Sequence, residues 1–504
     1  MSWGWSSARG RVLARCGIGV LSYVIAPDLV DAAVGDGLAW EMRLRALPSR
    51  LGVYFILGLC LFSRDPYGEV LRGLTSGLED VLGAAGWQVP ASTALTGVRR
   101  RVGEAPLASL FRMLAGAYCP GRAGWSHICG LLAVAWDGTV LDAADTAANA
   151  AAFGRPAAGK AGNKDGAAFP QLRLVTLVAC GTRALLAAAM GPCRGQGSGE
   201  RALAARLLGG LRPGMLLLAD RGFYSYRLWT AAAGTGAQLL WRAGNGMHLP
   251  VVRELPDGSW ITHIPDPRQV RRRTVRNGSR RRRHSARGPD AGPLPGITVR
   301  VIAFTVTVTL DDGTVRTEWY RLLTTLADWR ACPAGELAAG YARRWAIETA
   351  YLHLKKTVRG PGRVLRGQTP DLARQELWAF LCIYQAIRVL IARAAARDQI
   401  APARVSFTAV LHAARRSIAL ARDDMTAALA QAEDEALREL LPERQARICP
   451  RAVKKPRSRY PARTASTPLA QHATCTVTPA TAAASARTLS NQRRQATDTA
   501  KSPP

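Results

Sequence analysis

Two aspartates stand directly after apolar segments that have the length and composition of buried strands. Asp137 follows Leu-Leu-Ala-Val-Ala-Trp, and Asp220 follows Met-Leu-Leu-Leu-Ala. In open α/β sheets, ligands bind at the carboxyl ends of the strands, where side chains leave the buried layer. An aspartate there is poorly suited to packing, because an unpaired buried carboxylate is costly. Helix caps and turns also take aspartate, so either residue alone leaves a structural role open.

A third acid lies in a segment with helical character that runs to Lys355 and Lys356. Within it Tyr341, Arg344, Glu348 and Lys355 fall at offsets 0, 3, 7 and 14. On a continuous helix of about 3.6 residues per turn, this spacing puts all four on one face. A core stripe would be apolar, so an acid, two bases and a phenol indicate a functional face. The alternative is a solvated face with ordinary ion pairs.

Three carboxylates together suit divalent metal chemistry. Mg²⁺ and Mn²⁺ prefer oxygen ligands, and two such ions about 3.5–4 Å apart can clamp the attacking and leaving oxygens of a phosphoryl displacement. We therefore predict that Asp137, Asp220 and Glu348 are catalytic residues that hold two Mg²⁺ or Mn²⁺ ions per active site. Bases on the same helical face would hold DNA phosphates beside the metals.

The elements that would position these residues alternate between strands and helices, which predicts an α/β core with buried strands. Residues 1–115 read as a small helical N-terminal domain. Residues 130–244 read as the first part of the core, and residues 245–320 as a β-rich insertion. Residues 321–440 would complete the core and add C-terminal helices. Residues 441–504 are polar and basic with scattered proline, which predicts a flexible tail.

The insertion contains ten arginines and no acid between Arg268 and Arg287. For its conformation, the composition favours a solvated and partly disordered loop. For its role, such a run favours contact with phosphates over no role, because each basic contact to a phosphate releases counterions. Five arginines of this run are predicted DNA contacts: Arg271, Arg272, Arg273, Arg281 and Arg282.

The overall charge agrees with a nucleic-acid partner. The chain has 68 Lys and Arg against 36 Asp and Glu, a net charge of +32, and an excess this large indicates a polyanion. An anionic membrane surface is the alternative, but no basic amphipathic anchor helix is evident. The ten cysteines form no CxxC pair, which argues against a zinc site or a disulfide framework and for reduced thiols in the cytosol. We expect no membrane association.

Several motifs together point to one family. Asp137-Gly-Thr is followed by Asp145-Thr-Ala-Ala-Asn149, and Asp220 is followed by Arg-Gly-Phe-Tyr. The signature Tyr-x2-Arg-x3-Glu-x6-Lys is matched without a gap from Tyr341 to Lys355. In these motifs the chain resembles bacterial transposases of the insertion-sequence-4 family, within the DDE class. The resemblance covers roughly residues 14 to 460, and the helix signature is its most specific part.

The resemblance implies an RNase H-like core with a β-rich insertion, a helical N-terminal domain that binds the DNA end, and a two-metal reaction. In that reaction the transposon end is cut to leave a 3′ hydroxyl, which then attacks target DNA. The partners implied are double-stranded DNA, at terminal inverted repeats and at the target, and a second copy of the chain in the synaptic complex. The protein would act in the bacterial cytoplasm, at the nucleoid.

The resemblance also assigns residue roles. Tyr341, Arg344 and Lys355, with the neighbouring Lys356, would contact phosphates at the transposon end. Trp345 would stack on an unpaired or flipped base, a contact worth about 1–3 kcal/mol in general. Packing of its indole against the core is the alternative for Trp345.

Three other functions remain open from the residues alone. A nuclease on the same core would cut DNA without joining it, and an inactive relic would only bind it. A tyrosine or serine recombinase would use a covalent nucleophile, and in that case Asp137→Asn would leave activity intact.

Overall fold

The structure is a computed structural model of the 504-residue chain. It describes residues 12–36, 47–118, 123–156, 169–273, 294–442, 447–448 and 471–481, apart from positions 14, 85, 196, 311, 361 and 363. The chain divides into two compact units. Unit 1 comprises Met1–His127, Leu132–Leu211 and Arg343–Leu441, and unit 2 comprises Ile128–Leu131, Arg212–Ala342 and Pro442–Pro504.

The α-helices with bounded ends are numbered in chain order. They are α1 Pro27–Asp36, α2 Ser49–Leu61, α3 Tyr67–Thr75, α4 Glu79–Ala84, α5 Ser92–Val102, α6 Ala105–Leu114, α7 Ala147–Phe153, α8 Glu200–Ala205, α9 Tyr226–Ala233, α10 Ala334–Tyr341, α11 Ala346–Leu352, α12 Pro370–Arg397, α13 Phe407–Arg416, α14 Ile418–Asp423 and α15 Met425–Arg438. Short 3₁₀ turns lie at Gly19–Tyr23, Leu208–Gly210, Arg221–Phe223, Ala342–Trp345 and Pro402–Arg404, and a π-helical turn covers His353–Val358.

The strands are also numbered in chain order. They are β1 His127–Ile128, β2 Leu131–Asp142, β3 Gln171–Ala179, β4 Leu185–Pro192, β5 Met215–Ala219, β6 Gln238–Arg242, β7 Arg253–Glu254, β8 Trp260–Pro265, β9 Gly296–Leu310, β10 Val315–Thr324, β11 Arg447–Ile448 and β12 Gln471–Ala480.

Unit 1 is built around the 28-residue helix α12. Pro370 occupies its first turn, and the Thr369 side chain accepts a hydrogen bond from the backbone N–H of Leu372, an arrangement suited to a helix start. α12 packs against α2, α6 and α15. It is long and apolar enough to cross a membrane, but 78% of its apolar stretch is buried inside the protein, as expected of a core helix.

The sheet of unit 1 is antiparallel in the order β2-β3-β4. Asp137 pairs with Thr176 across β2 and β3. Gln385 of α12 ties the sheet to the helices, because its amide oxygen accepts from the backbone N–H of Leu185 at 2.8 Å and its amide nitrogen donates to the carbonyl of Leu114 at 3.1 Å. Buried polar groups of this kind must be paired, so Gln385 fixes the register between α12 and the start of β4.

Unit 2 contains the parallel pair β5 and β6, and β6 continues into the antiparallel ladder β6-β10-β9. β8 and β12 pair with β9 at successive positions along its length. Arg300 of β9 is 1% exposed and forms an ion pair with Asp257. The same guanidinium donates to the carbonyl of Cys332 at 2.7 Å, and Asp257 accepts from the N–H of Ala334 at 2.9 Å. This paired charge therefore links the insertion to the start of α10.

Most expected elements are present, including the helical N-terminal region, the β3-β4 hairpin, strand β5 before Asp220 and the β-rich insertion. Three expectations were wrong in detail. Asp137 lies inside β2, not at its end, because residues up to Asp142 continue to pair with β3. The insertion and the returning core strand were expected as separate elements, whereas β10 is one strand that pairs with both β9 and β6.

The third difference concerns the expected single helix from 333 to 357, which is an α-helix, a 3₁₀ turn, an α-helix and a π turn in succession. No proline interrupts the segment, so periodicity did not indicate the change. Within the predicted flexible tail, β12 forms an ordered ladder with β9. Its alternating threonines and valine have high β-propensity, which the basic composition of the whole tail obscured.

Candidate active site

Asp137 is half-buried in β2, and its Oδ1 accepts a hydrogen bond from the N–H of Gly138 at 2.8 Å. Burial raises the pKa of this carboxyl from 3.8 to about 6, opposed by the Gly138 hydrogen bond and the Arg344 charge, while Glu200 and Glu348 raise it further. Gly138 allows the Glu200 side chain to come this close, because a Cβ at Gly138 would lie 2.4 Å from Glu200 Oε1. The ionised aspartate is therefore poorly compensated in this structure.

Tyr351 of α11 fixes the backbone at Asp137. Its hydroxyl donates to the Asp137 carbonyl at 2.5 Å and lies 2.9 Å from Oγ1 of Thr176. Since Thr176 is the residue paired with Asp137 across the sheet, one phenol connects both strands to the helix that carries Glu348. Burial raises the Tyr351 pKa, opposed by the Thr176 hydrogen bond, so the phenol remains protonated.

Arg344 connects Asp137 with Glu348. Its guanidinium lies 3.9 Å from Asp137 Oδ2 and 3.5 Å from Glu348 Oε1. The Arg344 side chain is only 12% exposed, whereas that of Glu348 is 41% exposed. Unit 1 thus brings two of the three predicted carboxylates to one arginine.

Trp345 is 62% exposed, and the Arg344 guanidinium lies 5.7 Å from the centre of its ring. This exposure excludes the alternative in which the indole packs into the core. The ring is accessible for stacking, and Arg344 lies within the range of a cation–π contact.

Lys355 and Lys356 lie in the π turn that follows α11. Lys356 is exposed, while Lys355 is half-buried and donates from Nζ to Oγ1 of Thr139 at 3.1 Å. Burial lowers the Lys355 pKa, and the charge of Arg359 lowers it further. Thr139 lies two residues after Asp137, so Lys355 is held against the same strand as the aspartate. π turns occur frequently at functional sites.

Asp220 belongs to unit 2, where it directly follows β5 and begins the 3₁₀ turn Arg221–Phe223. Its Oδ1 is buried and has no hydrogen-bond partner among the described residues. The Arg242 guanidinium lies 3.9 Å from that oxygen and stacks 4.1 Å above the ring of Tyr320. Asp220 therefore retains a free acceptor directed at a cation, as its position at the strand end predicted.

Tyr341 is also in unit 2 and is 7% exposed. Its hydroxyl donates to the carbonyl of Ala219 at 3.1 Å, the residue before Asp220. The resemblance implied a phosphate contact for Tyr341, but here its phenol is buried against β5. The predicted shared face with Arg344, Glu348 and Lys355 is absent, because α10 ends at Tyr341 and a 3₁₀ turn follows.

The arginine run is described in part. Arg271 and Arg272 are exposed and Arg273 is half-buried, in a helix over residues 267–273. The expected loop conformation does not hold for these three positions. Arg281 and Arg282 lie outside the described residues.

Among the residues that the structure describes, no group of three or more His, Cys, Asp or Glu side chains is arranged to hold a metal ion. The donor chemistry nevertheless fits a hard divalent cation. Asp137 and Glu348 offer carboxylate oxygens beside a single arginine, and Asp220 has a buried oxygen without a hydrogen bond. Such oxygens are the preferred ligands of Mg²⁺ and Mn²⁺.

Sequence reasoning missed Tyr351, Thr176 and Arg242. Tyr351 lies three residues after Glu348 on the same helix, so the helical spacing rule could have included it. Arg242 is the last residue of β6, the parallel neighbour of β5, and the strand-end rule that selected Asp220 also applies to it. Thr176 is revealed only by strand pairing, for which the sequence carries no local signal.

Comparison with known proteins gives consistent matches. Residues 129–385, slightly more than half of the chain, match the family "Transposase DDE domain", and residues 15–112 match "Insertion element 4 transposase N-terminal". The chain is 27% identical over 364 residues to the transposase InsG for insertion sequence element IS4 of Escherichia coli (strain K12), covering 72% of this chain and 74% of the relative. InsZ of the same organism is 29% identical over 203 residues, covering 40% of this chain and 62% of its own length.

A third relative, y4zB of Sinorhizobium fredii, is 27% identical over 183 residues, which is 36% of this chain and 43% of its own length. The family matches cover both the helical N-terminal region and the part of the chain that carries Asp137, Asp220 and Glu348. The chain therefore belongs to the DDE transposases, as a member of the insertion-sequence-4 family.

Proposed function

We propose that this transposase cuts DNA at the terminal inverted repeats of its insertion sequence and joins the resulting 3′ hydroxyl to target DNA. Asp137, Asp220 and Glu348 are the catalytic carboxylates and hold two Mg²⁺ or Mn²⁺ ions. The core is RNase H-like, the active species on DNA is a homodimer, and the reaction takes place at the bacterial nucleoid in the cytoplasm.

The observation that carries the proposal is the electrostatic setting of the acids. Asp137 has a raised pKa, Glu348 shares the guanidinium of Arg344, and Asp220 has an unsatisfied buried oxygen. Perturbed carboxyls of this kind are concentrated at functional sites. A purely structural role would predict acids paired as completely as Asp257 is with Arg300.

Bound cations would supply charge neutralisation at the phosphate that reacts and would lower the pKa of a coordinated water. The residues of the chain bind and orient the DNA. Arg344, Lys355 and Lys356 provide positive charge on the segment that carries Glu348, and the exposed ring of Trp345 provides a stacking surface. Tyr351 holds the Asp137 backbone at a fixed distance from α11.

The first test is Asp220→Ala. We expect the variant to bind DNA carrying the transposon end and to cut none of it, because a carboxylate that binds metal has been lost. Glu254→Ala is the control, since Glu254 is an exposed acid on β7 in the same unit. Cleavage by Asp220→Ala at the rate of the control would remove Asp220 from the active site.

A strand-transfer assay separates the transposase from a nuclease on the same core. A labelled end fragment is incubated with a supercoiled plasmid and Mg²⁺, and the joined product is measured. Covalent joining of the label to the plasmid supports transposition, whereas nicked plasmid without joined label would indicate a nuclease. Neither product in the wild type, with DNA binding intact, would indicate an inactive relic.

A second set of variants tests the arginine run. Replacing Arg271, Arg272 and Arg273 with Ser should weaken DNA binding and flatten its dependence on salt, because each lost phosphate contact reduces the log–log slope by about 0.9. Arg227→Ser is the control, since Arg227 is exposed on α9 of the same unit. A slope equal to that of the control would mean that these three arginines make no phosphate contact.

A further inference from the structure

A cavity of about 370 Å³ in unit 1 lies apart from the predicted carboxylates. Its described walls include Arg359, Arg366, Glu376, Phe169 and Phe380. The volume lies in the general range of small-molecule pockets, about 300–1,000 Å³. The site therefore has room for more than a single ion.

Arg359 is the unusual residue of this cavity. It is 6% exposed, and its Nε and Nη1 atoms have no hydrogen-bond partner among the described residues. Burial lowers the Arg359 pKa, while the charges of Asp142 and Glu376 raise it. A buried guanidinium without hydrogen bonds is costly to maintain, which indicates that a missing partner supplies them.

The two acids near Arg359 are engaged elsewhere. Asp142 Oδ1 accepts from the side chain of Gln171 at 3.0 Å. Glu376 accepts from the N–H of Gly367 at 3.0 Å and lies 3.6 Å from the guanidinium of Arg99. Neither carboxylate forms a hydrogen bond to Arg359 in the structure.

Arg366 adds a second positive charge to the cavity wall. Its guanidinium donates to the backbone carbonyls of Asp65, at 3.0 Å, and of Ser63. These neutral partners hold the side chain in place without cancelling its charge. Since Arg99 already compensates Glu376, the cavity is left with the uncompensated charges of Arg359 and Arg366.

The remaining walls suit an organic ligand with an anionic group. Phe169 is 45% exposed at the cavity, and Phe380 forms a buried wall. Arginine binds phosphate oxygens through two N–H groups at once, and aromatic rings provide faces on which a nucleobase stacks.

We infer that this cavity binds one nucleotide unit, with its phosphate on the buried guanidinium of Arg359 and its base against the aromatic wall. The nucleotide is either free or part of a DNA strand, and the second source rests on the proposed function. Lys355, four residues before Arg359 in the chain, carries positive charge from the DNA-binding segment toward the cavity.

The test uses the full-length protein in EDTA, so that its outcome does not depend on catalysis. Thermal unfolding is measured with deoxyadenosine 5′-monophosphate or inorganic phosphate, against chloride at equal ionic strength, for the wild type, Arg359→Gln and Arg359→Lys. Arg397→Gln is the matched control, because Arg397 lies in the same unit with carboxylate partners at Asp398 and Asp434. The salt dependence of binding to a short duplex is measured with the same proteins.

We expect the nucleotide to raise the unfolding temperature of the wild type and of Arg397→Gln, to raise it less in Arg359→Lys, and not in Arg359→Gln. If the nucleotide belongs to DNA, Arg359→Gln also lowers the log–log salt slope by about 0.9, with or without an effect of the free nucleotide. Loss of the nucleotide effect with an unchanged slope assigns the cavity to a free nucleotide.

Equal responses of the wild type and Arg359→Gln in both assays would overturn the inference. That comparison needs only folded protein, and the wild-type titration alone would reveal a missing site if Arg359→Gln failed to fold. A failure of the proposed function is recognised separately, by the Asp220→Ala cleavage test, because the binding measurements contain no divalent metal.

Discussion

Replacing the catalytic Asp137 by asparagine should stabilise the metal-free protein at neutral pH. The carboxyl is half-buried with one hydrogen bond, and its pKa is raised from 3.8 to about 6, mainly by burial. Since a tenfold change in an ionisation constant corresponds to about 1.4 kcal/mol, ionised Asp137 destabilises the fold by up to about 3 kcal/mol. The neutral amide avoids that cost and keeps an oxygen that can accept from Gly138. We expect a gain of about 1–3 kcal/mol.

The gain has a defined pH dependence. Above pH 6 the Asp137 carboxyl is ionised in both the folded and the unfolded protein, so the full difference between Asp137→Asn and wild type is present. As pH falls from 6 toward 4, the folded wild type takes up a proton before the unfolded chain does, and the wild type becomes more stable relative to the variant. Below about pH 4 both states are protonated, and the difference disappears.

Thermal unfolding in EDTA at pH 7.5 and at pH 4 measures this difference. For large domains, each kcal/mol shifts the unfolding midpoint by about 2–4 °C. Asp423→Asn is the control, because Asp423 is 72% exposed in a surface pair with Arg15 and such pairs contribute little. A variant that is less stable than the wild type at pH 7.5, or a gain that persists unchanged at pH 4, would refute the assignment of Asp137 as a strained carboxylate.

Three further predictions follow from single contacts. Tyr351→Phe should cost about 1–3 kcal/mol of stability and also slow DNA cleavage, whereas Tyr54→Phe, which loses a buried hydroxyl bonded to Ile25, should lower stability alone; equal cleavage rates in unfolding-matched conditions would contradict this. Trp345→Ala should leave the unfolding midpoint nearly unchanged, because the ring is 62% exposed, and weaken end binding about 5- to 150-fold; unaltered end binding would exclude stacking. Ser225→Ala should destabilise α9 by about 1 kcal/mol, because the Ser225 hydroxyl caps the N–H of Leu228, and calorimetry that shows no change would exclude the cap.

The sequence was informative where local patterns determine the structure. β5 could be predicted because five apolar residues end at a polar one, and α12 because Thr369 and Pro370 mark a helix start before a long apolar periodic segment. The continuation of β2 beyond Asp137 depends on its pairing with β3. Pairing partners distant in sequence leave no local signal, so the end of that strand could not be placed.

The same distinction applies to the active site. Residue types and spacing selected Asp137, Asp220 and Glu348, because acids at strand ends and on a polar helical face stand out from a packed core. The role of Tyr341 depended on a continuous helix, and the 3₁₀ turn at Ala342–Trp345 removes that basis. Tyr351 was overlooked because an aromatic residue in a helix resembles core, and only its contacts with Asp137 and Thr176 reveal what it holds.

The contacts around Asp137 explain why its unfavourable charge is not relieved by a local shift. The backbone at this position is fixed from one side by pairing with Thr176 and from the other by the Tyr351 hydroxyl. Glu200 and Glu348 add negative charge, and Arg344 at 3.9 Å compensates only part of it. Because neither strand nor helix can move without losing buried hydrogen bonds, the carboxylate stays ready to bind a cation. Stability in the metal-free state is then limited by the same arrangement that would favour catalysis, and divalent cations should stabilise the wild type more than Asp137→Asn.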